Sequence, residues 1–127
     1  GRAAEAIPLF ERTLADCERV LGPDHPDTLG SRDNLALAYQ EAGRAAEAIA
    51  LHERTLADYE RVLGPDHPDT LTSRNNLALA YQEAGRAAEA IALHERTLAD
   101  YERVLGPDHP STLASRDNLA ATRAALG

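Results

Sequence analysis

Residues 43–84 read GRAAEAIALHERTLADYERVLGPDHPDTLTSRNNLALAYQEA, and nearly the same text stands on either side of them. Gly1, Gly43, Gly85 and Gly127 lie 42 apart. Residues 1–42 depart from this unit at five positions: Pro8 for Ala50, Phe10 for His52, Cys17 for Tyr59, Gly30 for Thr72 and Asp33 for Asn75. Residues 85–126 depart at nine, and six of those are the last six. A fixed period of this length marks a repeat architecture, in which no unit buries its apolar face alone and stacked neighbours do it instead. At 127 residues the chain suits one domain and is too short for two ordinary ones.

Each unit encodes two helices. In the first, Ala45, Ala48, Ile49, His52, Leu56, Tyr59 and Leu63 recur at helical spacing, and Leu51, Thr55 and Val62 widen the stripe. A face so broad suits a helix with neighbours on two sides. The run LGPDHPDT (63–70) then stops one helix and starts the next. Gly64 takes a left-handed terminal conformation at little cost, and Pro65 bars resumption. His67 precedes a proline and avoids helical angles, so it takes the cap, with Pro68 first in the helix and Asp69 near its positive end. The second helix carries one stripe of Leu71, Leu77, Ala78 and Tyr81, with Arg74 among them. Helices are expected at about 3–21, 26–42, 44–63, 68–84, 86–105 and 110–126. Connections this short make neighbours antiparallel, and Ala36, Ala48, Ala78 and Ala90 let backbones approach. The expected fold is all-α: six helices in an α-solenoid of antiparallel pairs, wound as a right-handed superhelix. Pro8 cannot donate to the carbonyl of Ala4, which predicts a frayed or kinked start over residues 3–8.

Composition excludes several alternatives. There are 25 Ala and 18 Leu against 3 Val and 3 Ile, so a sheet-centred fold is ruled out. The net charge of -8 argues against nucleic acid and against an anionic membrane surface as partners. No apolar run approaches the roughly 18 residues of a membrane span, and the opening GRAAEAIPLF does not read as a secretory leader. The single Cys17 cannot form an internal disulfide, so a cytoplasmic location is expected. Thirteen Arg without any Lys, beside abundant Ala, point to a GC-rich bacterial source.

The residues Leu77, Ala78 and Tyr81, the turn at Gly85, and Ala90, His94 and Thr97 on the next helix resemble the tetratricopeptide repeat pattern. LGPDHP and Asn76-Leu77-Ala78-Leu79-Ala80-Tyr81 resemble its 42-residue kinesin-light-chain variety. The likeness covers the whole chain and recurs three times. Arg32, Arg74 and Arg116 depart from it, standing where the family often carries a large apolar residue, and Phe10 alone fills an aromatic slot that His52 and His94 take later. What the resemblance implies is a non-enzymatic scaffold whose concave groove, lined by the first helix of each pair, binds a peptide or protein segment. Carried over by position, the groove is Gly30, Asp33, Asn34, Leu37, Gln40 and Glu41 in one unit. In the next it is Thr72, Asn75, Asn76, Leu79, Gln82 and Glu83. In the last it is Ala114, Asp117, Asn118, Ala121, Ala124 and Ala125.

The chemistry of that stripe fits. Asn34, Asn76 and Asn118 offer donors and acceptors that suit a ligand's backbone amides, although each side chain is equally suited to bridging within its own repeat or to the next helix. The acids Asp33, Glu41, Glu83 and Asp117 favour basic or neutral-polar partners. No catalytic constellation stands out. His25, His67 and His109 recur in one turn, His52 and His94 on one helix face, and Ser31, Ser73 and Ser115 recur as well, which fits capping and packing. No His-x3-His pair occurs, so neither a metal nor any other cofactor is expected. The ERTLAD and DYER charges read as solvated helix faces. Cys17 reads as a small, partly buried thiol whose neighbours Asp16 and Glu18 oppose a reactive thiolate.

Residues 1–127 thus read as a single array with units 1–42, 43–84 and 85–126. It opens on the second helix of a pair and closes on a capping helix, because Arg123 replaces the Tyr of earlier units. The leading expectation is an interaction scaffold within a larger bacterial signalling or regulatory protein. The alternative is an architectural or self-associating array, trimmed or engineered, with no specific ligand. One face of helix 3–21, including Phe10, is expected to lie open, to be covered either by a partner helix in a longer parent protein or by a second molecule, the latter as an open head-to-tail filament or a closed dimer.

Overall fold

The computed structural model describes residues 2–126. They form six helices: α1 (Arg2–Leu21), α2 (Pro26–Glu41), α3 (Ala45–Leu63), α4 (Pro68–Glu83), α5 (Ala87–Leu105) and α6 (Pro110–Leu126). Each packs chiefly against its neighbours in the chain. The fold is an all-α solenoid of antiparallel helix pairs in a right-handed superhelix.

The LGPDHP turn ends and restarts the helices as the sequence predicts, with one bond it did not. Gly64 caps α3 at φ +92°, where a side chain would be strained. His67 sits at the α4 cap in extended conformation with Pro68 following it, and its Nδ1 accepts from the Asp69 N–H at 3.0 Å. The buried Thr70 hydroxyl then donates back to the Gly64 carbonyl at 2.8 Å, sealing the loop. The same three-part closure recurs through His25 and Thr28 and through His109 and Thr112.

Ala36, Ala48, Ala78 and Ala90 are fully buried, so the helices meet backbone to backbone along small residues. Around them Ile49, Leu56, Leu77, Ala80 and Tyr81 form one apolar cluster. Ile7, Leu35 and Ala38 form another, with Phe10, Leu14 and Tyr39 against it.

The expected fraying over residues 3–8 does not occur. α1 is helical from Arg2 straight through Pro8. Ile7 is buried in the cluster with Leu35 and Ala38, which pins this turn to α2. Ala4 and Pro8 face solvent, where water can satisfy the carbonyl that proline cannot serve.

The charges at the helix junctions also differ from expectation. Arg32 and Arg74 are 1% and 0% exposed. Arg74 reaches from α4 to Asp100 of α5 at 2.5 Å and touches the carbonyl of Pro65 at 3.4 Å. Arg32 meets Asp58 of α3 at the same distance. Asp58 and Asp100 are therefore joints between units and not members of solvated faces. Around each joint a second arginine closes the set: Arg61 binds Asp24 at 2.6 Å and Asp58 at 3.1 Å, and Arg103 binds Asp66 and Asp100 likewise. Burial raises the pKa of Asp58 and Asp100, but the hydrogen bonds from their two arginines outweigh it and hold both carboxyls below the ordinary value.

Candidate functional site

The stripe singled out in the sequence lies on α2, α4 and α6. On α2, Asn34, Leu37 and Glu41 are exposed, and Asp33 and Gln40 are half-buried. On α4, Thr72 and Glu83 are exposed, and Asn75, Asn76, Leu79 and Gln82 are half-buried. On α6, Asp117 is exposed and Asn118 half-buried.

The structure joins some of these and leaves others apart. Asn118 donates to the side chain of Asn75 at 3.2 Å. The Thr122 hydroxyl donates to Gln82 Oε1 at 2.8 Å. Thr72 lies 3.4 Å from the Tyr101 hydroxyl. So the first two contacts stitch α4 to α6 side chain to side chain, and the third ties α4 to α5. Between α2 and α4 the equivalent stitches are absent among the described residues. Ala80 stands where α6 has Thr122, so Gln40 Oε1 has no hydroxyl to accept from. Asp33 Oδ1 is likewise buried without a hydrogen bond, with His52 Nδ1 3.6 Å away. The side chains of Asn34 and Asn76 make no hydrogen bond among the described residues. The row of three asparagines is therefore not uniform: Asn118 is engaged across units, and the other two are open.

On α2, Asp33 Oδ1 and Gln40 Oε1 are thus buried and make no hydrogen bond among the described residues. A buried acceptor without a donor costs about 1–3 kcal/mol. Beside them, α1 and α2 enclose a small cleft of about 210 Å³ that includes Asn34, Leu37 and Glu41.

The sequence could have shown this asymmetry. Ala38, Ala80 and Thr122 occupy one repeat position, and the change to Thr is visible. What it means depends on α4 meeting α6 in register, which only the packed helices reveal.

The helix-face histidines are packing residues. His52 and His94 are fully buried, with no hydrogen bond at either ring nitrogen. Burial lowers the pKa of His94. Among the described residues no three His, Cys, Asp or Glu side chains gather to hold a metal ion. No described helix is long and apolar enough to cross a membrane.

Models of the tetratricopeptide repeat match residues 1–60, 31–103 and 73–127. The chain belongs to the tetratricopeptide repeat family. Its solved neighbours include a putative kinesin light chain from Podosopora anserina with nearly identical TPR-like repeats. That structure is 38% identical, with a TM-score of 0.86, over 96% of this chain and 58% of that one. A point variant of the same light chain is 37% identical with a TM-score of 0.85, over 100% and 60%. BtubC (BKLC) from P. vanneervenii shares the fold at 22% identity and a TM-score of 0.87, over 100% and 51%. The chain thus spans between about half and three-fifths of the length of these structures. A comparison with the curated proteins finds no match. Tetratricopeptide arrays are in general protein–protein interaction scaffolds and typically non-catalytic.

Proposed function

We propose that this tetratricopeptide array is a non-enzymatic module that binds a peptide or protein segment in the groove formed by α2, α4 and α6. It acts in the cytoplasm within a larger bacterial signalling or regulatory protein, with residues 1–127 as one array. The observation that supports the reading is the open polar stripe itself, on which Asn34, Glu41, Thr72, Glu83 and Asp117 are exposed and the side chains of Asn34 and Asn76 are not engaged by the neighbouring helices. The acids Asp33, Glu41, Glu83 and Asp117 on that stripe favour a basic or neutral-polar segment, with a Lys or Arg side chain near the half-buried Asp33.

The test is a peptide array screened with the wild-type chain and rescreened with Asp33→Ala, Asn34→Ala and Asn76→Ala. Binding to basic peptides is expected to weaken about tenfold when the Asp33 contact is lost, that being the scale of one charge-assisted hydrogen bond. Binders indifferent to all three changes would show that the partner docks elsewhere.

A second reading, self-association through α1, is favoured by one observation. Leu9 and Val20 of α1 are 62% and 67% exposed, on a helix whose later counterparts are covered on both sides.

A further inference from the structure

We propose that the buried ring of His52 is a protonation switch for Asp33: on taking a proton from solvent the ring claims the Asp33 carboxylate and weakens the hold of the stripe on a cationic partner segment. The proposal rests on the reading of that stripe as the binding face and adds its regulation.

The packing of α2 on α3 holds the two groups together. His52 is fully buried, and neither of its ring nitrogens makes a hydrogen bond. Asp33 Oδ1 is buried as well and lies 3.6 Å from His52 Nδ1, while 13% of the Asp33 side chain still reaches the surface. The contact is too long for a hydrogen bond. It is short enough that a charge on the ring would act strongly on the carboxylate. Asp33 thus stands between two cations that compete for it, one from the ring inside and one from a ligand outside.

The next unit supplies the contrast. His94 is buried in the same way, with both ring nitrogens unpaired. Asn75 stands there in place of Asp33 and accepts from Asn118. One buried ring therefore faces a carboxylate and the other a neutral amide.

The other charges on the helices around His52 are taken up elsewhere or lie in water. Arg32 of α2 is held by Asp58, and Arg74 of α4 by Asp100 and Glu60. Asp27 and Glu41 of α2, Asp69 and Glu83 of α4, and Glu53 and Arg54 of α3 are exposed. Tyr59, two turns along α3, has its pKa pushed up to about 12 by burial first and by Asp33 and Asp69 next, so it stays neutral in the acid range. Among the described residues Asp33 is the one carboxylate within 4.0 Å of the His52 ring. Linkage makes the coupling reciprocal: the factor by which the proton weakens a cation at Asp33 is the factor by which that cation weakens the proton.

Imidazole NMR of the full chain tests the pair without any ligand. Asp33→Asn and Asn75→Asp only exchange residues that the chain already uses at this repeat position, so both variants keep the fold. Asp33→Asn is expected to lower the pH at which the His52 signals move by about one unit, and Asn75→Asp to raise that of His94 by about as much. Calorimetry with an arginine octapeptide reads the output. Wild type is expected to bind it about tenfold more weakly near pH 5 than near pH 8. In His52→Phe, which places the ring of Phe10 at the same repeat position, the ratio is expected to fall below about threefold, the scale left to exposed charges. His52 signals unmoved by Asp33→Asn would overturn the switch, whatever the array binds. Equal loss of affinity in wild type and His52→Phe would overturn the regulation while leaving the binding face standing. Octapeptide binding that ignores Asp33→Asn at both pH values would overturn the binding reading, and the switch with it.

Discussion

His94 is the plainest case at the scale of one residue. It is fully buried with neither ring nitrogen hydrogen-bonded, and burial holds its pKa below the ordinary 6.5. Between that lowered value and 6.5 the unfolded chain binds a proton that the folded chain refuses. Stability is therefore complete above 6.5 and falls as pH drops through this window. Phe10 occupies the same repeat position in α1, so a phenyl ring suits the helix face. His94→Phe is expected to raise stability near pH 5 by about 1 kcal/mol or more and to flatten the acid slope. Urea unfolding near pH 5 and near pH 8 reads this, and an equal loss at both would mean that the larger ring does not fit. The packing role of this histidine was legible from its recurrence. Its lack of partners was not, because that depends on which side chains the neighbouring helices present.

At the scale of helices, three arginines share one repeat position and two environments. Arg32 and Arg74 are sealed between units, and Arg116 is half-exposed. Arg74→Ala leaves a large void and strips Asp100 of one of its two arginines. It is expected to cost about 2–4 kcal/mol. Arg116→Ala is expected to cost less than about 0.5 kcal/mol, as exposed pairs generally do. Chemical denaturation of the two variants separates them, and equal costs would mean that burial at the joint adds nothing. Helix number and ends, the glycine stops and the histidine caps were all readable from 3.6-residue periodicity and turn chemistry. The arginines stood out in the sequence as departures from an apolar position. Their aspartates, 26 residues further on, did not, because that pairing depends on how one helix is set against another. Asp58 and Asp100 were accordingly misread as solvated.

At the scale of the molecule, stability should grow with the number of joints. Inserting one more copy of residues 43–84 after Ala84 adds a joint with its buried arginine, its alanine contacts and its sealed turn. The longer chain is expected to unfold at higher denaturant concentration and over a narrower range, since more surface is exposed in one step. An unshifted midpoint would show that neighbouring units do not support one another. The array itself was visible in the 42-residue period, and the groove positions followed from family resemblance. The unequal stitching of this stripe, tight between α4 and α6 and open between α2 and α4, came only from the packed coordinates.

The joints also give the coil an uneven spring. Asp24–Arg61 and Asp66–Arg103 are rungs in open water along one edge, with both partners more than half-exposed, and dissolved ions soften such contacts. The sealed arginine–aspartate contacts lie deeper and are screened far less. Ionic strength therefore tunes the elasticity of one edge, while the resistance of the interior to twisting is fixed by the amino acids alone.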